Sequence, residues 1–184
     1  EQRESIEPFT YAVAVQDGIA YTSRGSTLVA LDVSQPSQPV ERSRVDLPHL
    51  VRDIVVQGPH AYVSTGVGGL QIVEISNVDR LSIVGGLSFD DRTEDLIVTD
   101  SLAYVTARTA GLQVVDIQDP ANPVVVGAYQ TDEQAIDVTV SGRYAHVAAS
   151  FGGHRIIDVS NPARPREIGS AARGSADGAN RCRV

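Results

Sequence analysis

The chain has 184 residues, 42% of them hydrophobic and 21% charged, which fits one globular domain or two small ones and excludes a wholly disordered chain. Its 15 basic residues, all Arg, stand against 23 acidic ones for a net charge of -8, which excludes a Schiff-base or P-loop lysine and argues against a general nucleic-acid binder, since that needs a cationic surface. A single Cys excludes an intrachain disulfide and a Cys-based zinc cage.

The chain contains no Met, which leads us to expect a processed product or a piece of a longer protein. No apolar run approaches the roughly 18 residues a membrane span needs, so none is expected. Residues 1–8 read as an N-terminal segment, and a start such as Glu1-Gln2-Arg3 is what a removed signal peptide leaves. From Phe9 to Gly169 the chain repeats four times, at about 9–50, 51–91, 92–133 and 134–169. The first copy carries Ala12, Tyr21, Asp32, Pro36, Pro39 and Ser43 in register. The second carries Asp53, Tyr62, Glu74, Val78, Leu81 and Gly85. The third carries Asp95, Tyr104, Asp116, Pro120, Pro123 and Gly127, and the fourth Asp137, His146, Asp158, Pro162, Pro165 and Gly169. The acids Asp32, Glu74, Asp116 and Asp158 recur at intervals of 42, 42 and 42.

Each copy holds four short runs rich in Val, Ile, Leu and Tyr, separated by turn residues. In the third copy these are Asp95-Leu-Ile-Val98, Leu102-Ala-Tyr-Val-Thr106, Leu112-Gln-Val-Val-Asp-Ile117 and Pro123-Val-Val-Val-Gly-Ala128. No segment sustains a 3.6-residue apolar period, so no long helix is expected. Four antiparallel strands in about 42 residues are the size of one β-propeller blade, and the predicted fold is all-β, a propeller of four such blades. Residues 170–184 are rich in Gly, Ala, Ser and Arg and read as a flexible tail, with Cys182 a solvated thiol or the joint of an intermolecular disulfide.

Two stretches carry a resemblance. Gly111-Leu-Gln-Val-Val-Asp-Ile-Gln-Asp-Pro-Ala-Asn-Pro123 and Arg155-Ile-Ile-Asp-Val-Ser-Asn-Pro-Ala-Arg-Pro165 resemble the LVIVD repeat family. That resemblance implies a β-propeller, found mostly in exported or surface proteins of bacteria and archaea, with no general biochemical role defined. The first copy departs from the motif by lacking the glycine before Leu28-Val-Ala-Leu-Asp-Val33, and the second by losing both prolines, at Val78 and Leu81. Four copies close as a compact four-bladed ring, as half of a larger ring completed by a second chain, or as part of a longer chain. A bare arc would leave a blade face and strand edges open, so a ring completed by further repeats is the preferred expectation.

In such a fold the fourth-to-first and second-to-third strand loops share one face. That face collects Phe89, Asp90, Asp91, Arg92, Arg108, Asp132, Glu133, Phe151 and His49, a mixture suited to a polar ligand or a protein and equally to ordinary loops. Asp53, Asp95 and Asp137 each begin an innermost strand. They are expected to accept backbone N–H bonds; clustered carboxylates bind Ca²⁺ in the alternative, the one cofactor considered. Tyr21, Tyr62 and Tyr104 read as interblade packing, and the acids Asp32, Glu74, Asp116 and Asp158 as structural positions holding backbone amides or a nearby Arg. His146 reads as packing too, and with His154 it flanks one hairpin without an obvious third metal ligand. No Gly-x-Ser-x-Gly, His-Glu-x-x-His or phosphate-loop motif occurs. The leading reading is a non-catalytic extracellular or cell-surface propeller that binds a protein or glycan on its loop face. The alternatives are a polysaccharide hydrolase or lyase with its pocket over the channel, and a structural repeat module of a surface assembly.

Overall fold

The computed structural model describes residues 9–171. The N-terminal segment and the tail beyond Ala171, with Cys182, lie outside the described residues. Sixteen strands form four antiparallel sheets of four, each in sequential order. The first blade holds β1 (Val13–Gln16), β2 (Ile19–Arg24), β3 (Thr27–Asp32) and β4 (Val40–Asp46). The second holds β5 (Asp53–Gln57), β6 (His60–Ser64), β7 (Leu70–Glu74) and β8 (Ser82–Leu87). The third holds β9 (Leu96–Thr99), β10 (Leu102–Thr106), β11 (Leu112–Asp116) and β12 (Val124–Tyr129). The fourth holds β13 (Asp137–Ser141), β14 (Tyr144–Ala148), β15 (His154–Asp158) and β16 (Arg166–Ala171), so that β16 runs two residues into the stretch whose composition reads as tail. Among the described residues there is no α-helix, only the single turns of 3₁₀ helix at Gly66–Gly68 and Ser150–Gly152.

The blades are those of a β-propeller, and the period-2 alternation of each strand explains how they stack. In β10, Ala103 and Val105 are buried against the second blade, while Tyr104 between them is buried against the fourth. Both faces of an inner blade are therefore apolar, and the core is divided into slabs between successive blades. One slab joins blades one and two around Leu28, Val51, Val63 and Val73. The next joins two and three around Leu70, Ile72, Val105 and Val115, and the last joins three and four around Leu112, Val114, Val147 and Ile157. Innermost strands follow one another in order, β1 beside β5, β5 beside β9 and β9 beside β13. No fourth slab joins the fourth blade to the first among the described residues.

The outer strand of every blade is bulged at one place. The register slips between Ala30 and Leu31, Ile72 and Val73, Val114 and Val115, and Ile156 and Ile157, against the glycine or serine of the next strand. A bulge increases local twist, which splays the outer strand as a propeller blade requires. At the same place the blades approach most closely. A Cβ on Gly85 would collide with the carbonyl of Pro120, and one on Gly127 with that of Pro162. Ser43 tolerates the position by donating its hydroxyl to the Val78 carbonyl at 2.6 Å.

Candidate functional site

The repeated acids after the third strands close turns. Asp32 accepts from the Ser34 N–H at 3.0 Å, Glu74 from Ser76 at 3.0 Å, Asp116 from Gln118 at 2.8 Å and Asp158 from Ser160 at 3.0 Å. Hydrogen bonds from Ser34, Ser76 and Ser160 hold Asp32, Glu74 and Asp158 below the usual carboxylate range. Arginines gather there too: Arg42 lies 3.2 Å from Asp32, and Arg143 3.1 Å from Asp158. Tyr21, Tyr62 and Tyr104 lie one in each interblade slab, and burial raises all three phenols. His146, in the same column, is half-buried and stacks on His154 with ring centroids 5.2 Å apart and 13° between planes. Its Nδ1 lies 3.1 Å from Nε2 of His154, and burial, then the neighbouring ring, lowers the His154 pKa.

At the innermost strands Asp53, Asp95 and Asp137 sit half-buried at the same height of successive blades. Asp53 Oδ2 accepts from the Leu96 N–H of the next blade at 3.3 Å, and Asp95 Oδ2 from the Val138 N–H at 2.8 Å. The 42-residue interval also brings the carboxyl groups together, with side-chain hydrogen bonds from Asp95 to Asp53 and to Asp137. Burial, then the charge of Asp53, pushes Asp95 up to about 9. Burial raises Asp53 as well. Asp95 therefore keeps a proton at neutral pH and shares it with its neighbours. Among the described residues no group of three His, Cys, Asp or Glu is arranged to hold a metal ion. Ala12 replaces the acid in the first blade and is buried in the first slab.

On the loop face the second-to-third strand loops bond the loops that enter the next blade. Val51 N–H donates to Gly25 O at 3.1 Å, Thr93 to Gly66 at 3.0 Å and Ala135 to Arg108 at 3.0 Å. The acceptor residue has positive φ in all three, and Ser150 repeats that conformation in the fourth blade at φ 40. These loops distribute the candidate residues unevenly. Phe89 is half-buried and packs against the second slab. Arg108 Nε donates to Glu94 at 2.5 Å, with Arg92 3.5 Å from the same carboxylate. Asp132 lies 3.3 Å from Arg155, whose other arm reaches Glu167 at 3.4 Å. Glu133 is exposed, its carbonyl bonded by the Thr131 hydroxyl. Phe151 is 75% exposed on its 3₁₀ turn, and His49 is exposed.

Asp90 and Asp91 enter a groove. It has a volume of about 510 Å³ and is lined by those two acids with Thr109, Ala110, Gln113, Ala128 and Gln130. The groove lies at the seam of blades two and three, over the outer strands of the third blade rather than over the ring axis. Asp91 is fixed by accepting from both the backbone N–H of Thr109 at 3.0 Å and its hydroxyl at 2.6 Å. Gln113 is fixed by donating to Ala110 O at 2.6 Å. Asp90 is exposed beside them. The lining from Thr109, Gln113 and Gln130 was not singled out in the sequence; the one signal for it was that Gln113 recurs as Gln71, which bonds Gly68 O in the same way at 2.9 Å.

The family model described as LVIVD repeat matches residues 10–47, 50–87, 92–131 and 133–172. No curated protein matches the chain. Among solved structures it is similar to the computationally designed Ika8 protein, with a TM-score of 0.74 and 11% identity over 95% of this chain and 52% of that one. It is also similar to the computationally designed Ika4 protein, with a TM-score of 0.69 and 11% identity over 84% of this chain and 94% of that one. The chain thus spans about half the length of the Ika8 chain, and at these identities the likeness is one of fold.

Proposed function

The chain belongs to the LVIVD repeat family, and on that footing we propose that it is a non-catalytic binding module, exported or displayed at the cell surface, that holds a protein partner through its loop face. The observation that carries this reading is the groove with Asp90 and Asp91 at its edge and the amides of Gln113 and Gln130 within it. Its acceptors and donors are held by the fold before a partner arrives, which lowers the ordering cost of binding. The acids favour a segment bearing Arg or Lys, and no aromatic ring lines the groove for a sugar to stack on. The exported location rests on the family resemblance. The convergent acids Asp53, Asp95 and Asp137 would suit a hydrolase by their perturbed protonation, but Asp53 and Asp95 are already engaged with the backbone of the next blade. That favours the binding reading over the enzyme.

The test is binding of an Arg-rich peptide and of a panel of neutral and acidic oligosaccharides, measured by calorimetry. Peptide binding that weakens with salt and with Asp90→Asn supports the reading. Oligosaccharide binding that survives Asp90→Asn replaces the protein partner with a glycan, and binding of neither overturns it.

A further inference from the structure

We propose that two copies of this chain close head to tail into one ring of eight blades, the fourth blade of each docking on the first blade of the other through a further instance of the interblade interface. The proposal is independent of what the groove on the loop face binds. It rests on comparing each repeated position with its equivalents at the two ends of the array.

The outward face of the first blade is built as a buried face. Ile54, Leu96 and Val138 occupy one position in blades two, three and four and are 4%, 3% and 4% exposed. Val13 occupies it in the first blade and is 63% exposed. Val15, two residues on, is also exposed, and so are Pro36 and Pro39 below. On the outward face of the fourth blade His146, His154 and Ile156 are half-buried where Tyr104, Leu112 and Val114 are buried in the third. Val84 and Val126 pack against the blade that follows each of them. Ile168, their equivalent, is 49% exposed with no blade before it. Solitary exposed apolar residues are ordinary, but interface positions more exposed at both ends of the array than between its blades mark two surfaces that expect partners.

The two surfaces are the two halves of one joint. Within the chain, the carbonyls of Pro120 and Pro162 press into the space that Gly85 and Gly127 leave open. Gly169 leaves the same space, and the nearest heavy atom to a Cβ there is its own blade's Ile156 Cδ1 at 3.9 Å. The residue that would fill it by the repeat is Pro36, exposed on the first blade. The loop face repeats the pattern. Val51, Thr93 and Ala135 are fully buried while donating to the loop of the preceding blade. Their equivalent in the first blade, Thr10, is exposed, and the equivalent acceptor is the carbonyl of Ser150. Knob and socket lie at opposite ends of one chain, so the surface that fits the fourth blade is the first blade of another copy.

Among the described residues this joint is not completed within the chain, since β13 is not packed along β1 as it is along β9. A head-to-tail contact forms a ring only if the rotation closes. The four blades use 95% of their own length to match 52% of the Ika8 chain, so two copies in succession have about the length of that one chain. Two copies then give two identical junctions related by a twofold axis along the channel, and no blade face or strand edge is left uncovered.

The test is the mass of the 184-residue chain by light scattering across a concentration series, with small-angle scattering for shape. The expected result is a closed particle of about twice 19.5 kDa. Gly169→Leu has open space within its own chain and should leave the circular dichroism unchanged while giving a monomer. Val13→Glu, on the opposing and exposed face, should do the same. A wild type that stays monomeric at every concentration, or a Gly169→Leu variant that stays dimeric, would overturn the proposal.

Discussion

The Asp95 carboxyl and the Val138 backbone N–H lie 2.8 Å apart across the seam between the third and fourth blades. Asp95 bonds there while also carrying a proton, because burial and the neighbouring Asp53 raise it from 3.8 to about 9. A group whose folded pKa lies above its unfolded value stabilises the fold fully below the unfolded pKa and loses that contribution as pH rises through the folded one. We therefore expect the contribution of Asp95 to stability to be lost progressively as pH rises from about 4 to 9, between its unfolded and folded pKa. Asp95→Asn keeps an oxygen for Val138 and an N–H₂ for its acidic neighbours and has no charge to acquire. Its melting temperature relative to the wild type's should rise steadily as pH goes from about 4 to 9. A difference that stays constant over that window would show that Asp95 is ionised in the fold.

The close approach of blades at Gly127 gives a second expectation. A Cβ there meets the Pro162 carbonyl, which is backbone and belongs to a loop fixed by the Asn161 and Asp158 turns. Gly127→Ala must push the fourth blade away from the third, at a cost of about 1–3 kcal/mol, the usual range for overpacking. Chemical denaturation measures it, and a change below about 0.5 kcal/mol would mean that the seam yields freely.

Much of this architecture was legible because the repeat puts the same demand on the same position four times. The Tyr21, Tyr62 and Tyr104 column lies in the interblade slabs, and the acids from Asp32 to Asp158 accept from the backbone of the turns that follow them. What stayed hidden depends on the tilt of one blade against the next. The interval from Asp53 to Asp95 places equivalent atoms at equivalent heights, but only the blade tilt decides that the two carboxyls hydrogen-bond one another. The groove escaped for a related reason, since Asp91, Thr109, Gln113 and Gln130 come from three loops and one strand. Val13 has the sequence of a core position, and only the array's open end makes it exposed.

The loop at Ser150 stores a small strain. Its equivalents Gly25 and Gly66 adopt φ of 66 and 60, a region where glycine meets no penalty, whereas Ser150 holds φ at 40 with a side chain. The left-handed region costs a non-glycine residue roughly 1–2 kcal/mol, and the added unfolded-state freedom of glycine returns about half of that. Ser150→Gly should therefore stabilise the protein by about 0.5–1 kcal/mol. A loss of stability on denaturant titration would show that the serine side chain makes a contact that outweighs the strain.

The stacked pair His146 and His154 is a local acid sensor whose sign follows from its cause. Burial and the facing His146 ring depress the His154 pKa below 6.5, so the unfolded chain binds a proton more readily than the folded one in the window just beneath that value. The pair's contribution is complete above pH 6.5 and is lost as pH falls through the folded pKa. An NMR titration of the two imidazole Cε1–H signals should place the His154 midpoint under 6.5. His146→Phe keeps a ring at the stacking distance and removes the second charge, so the His154 midpoint should rise while staying under 6.5, because burial, the larger cause, remains. A His154 midpoint that His146→Phe leaves unmoved would remove the coupling between the two rings, and a wild-type midpoint at or above 6.5 would remove the sensor altogether.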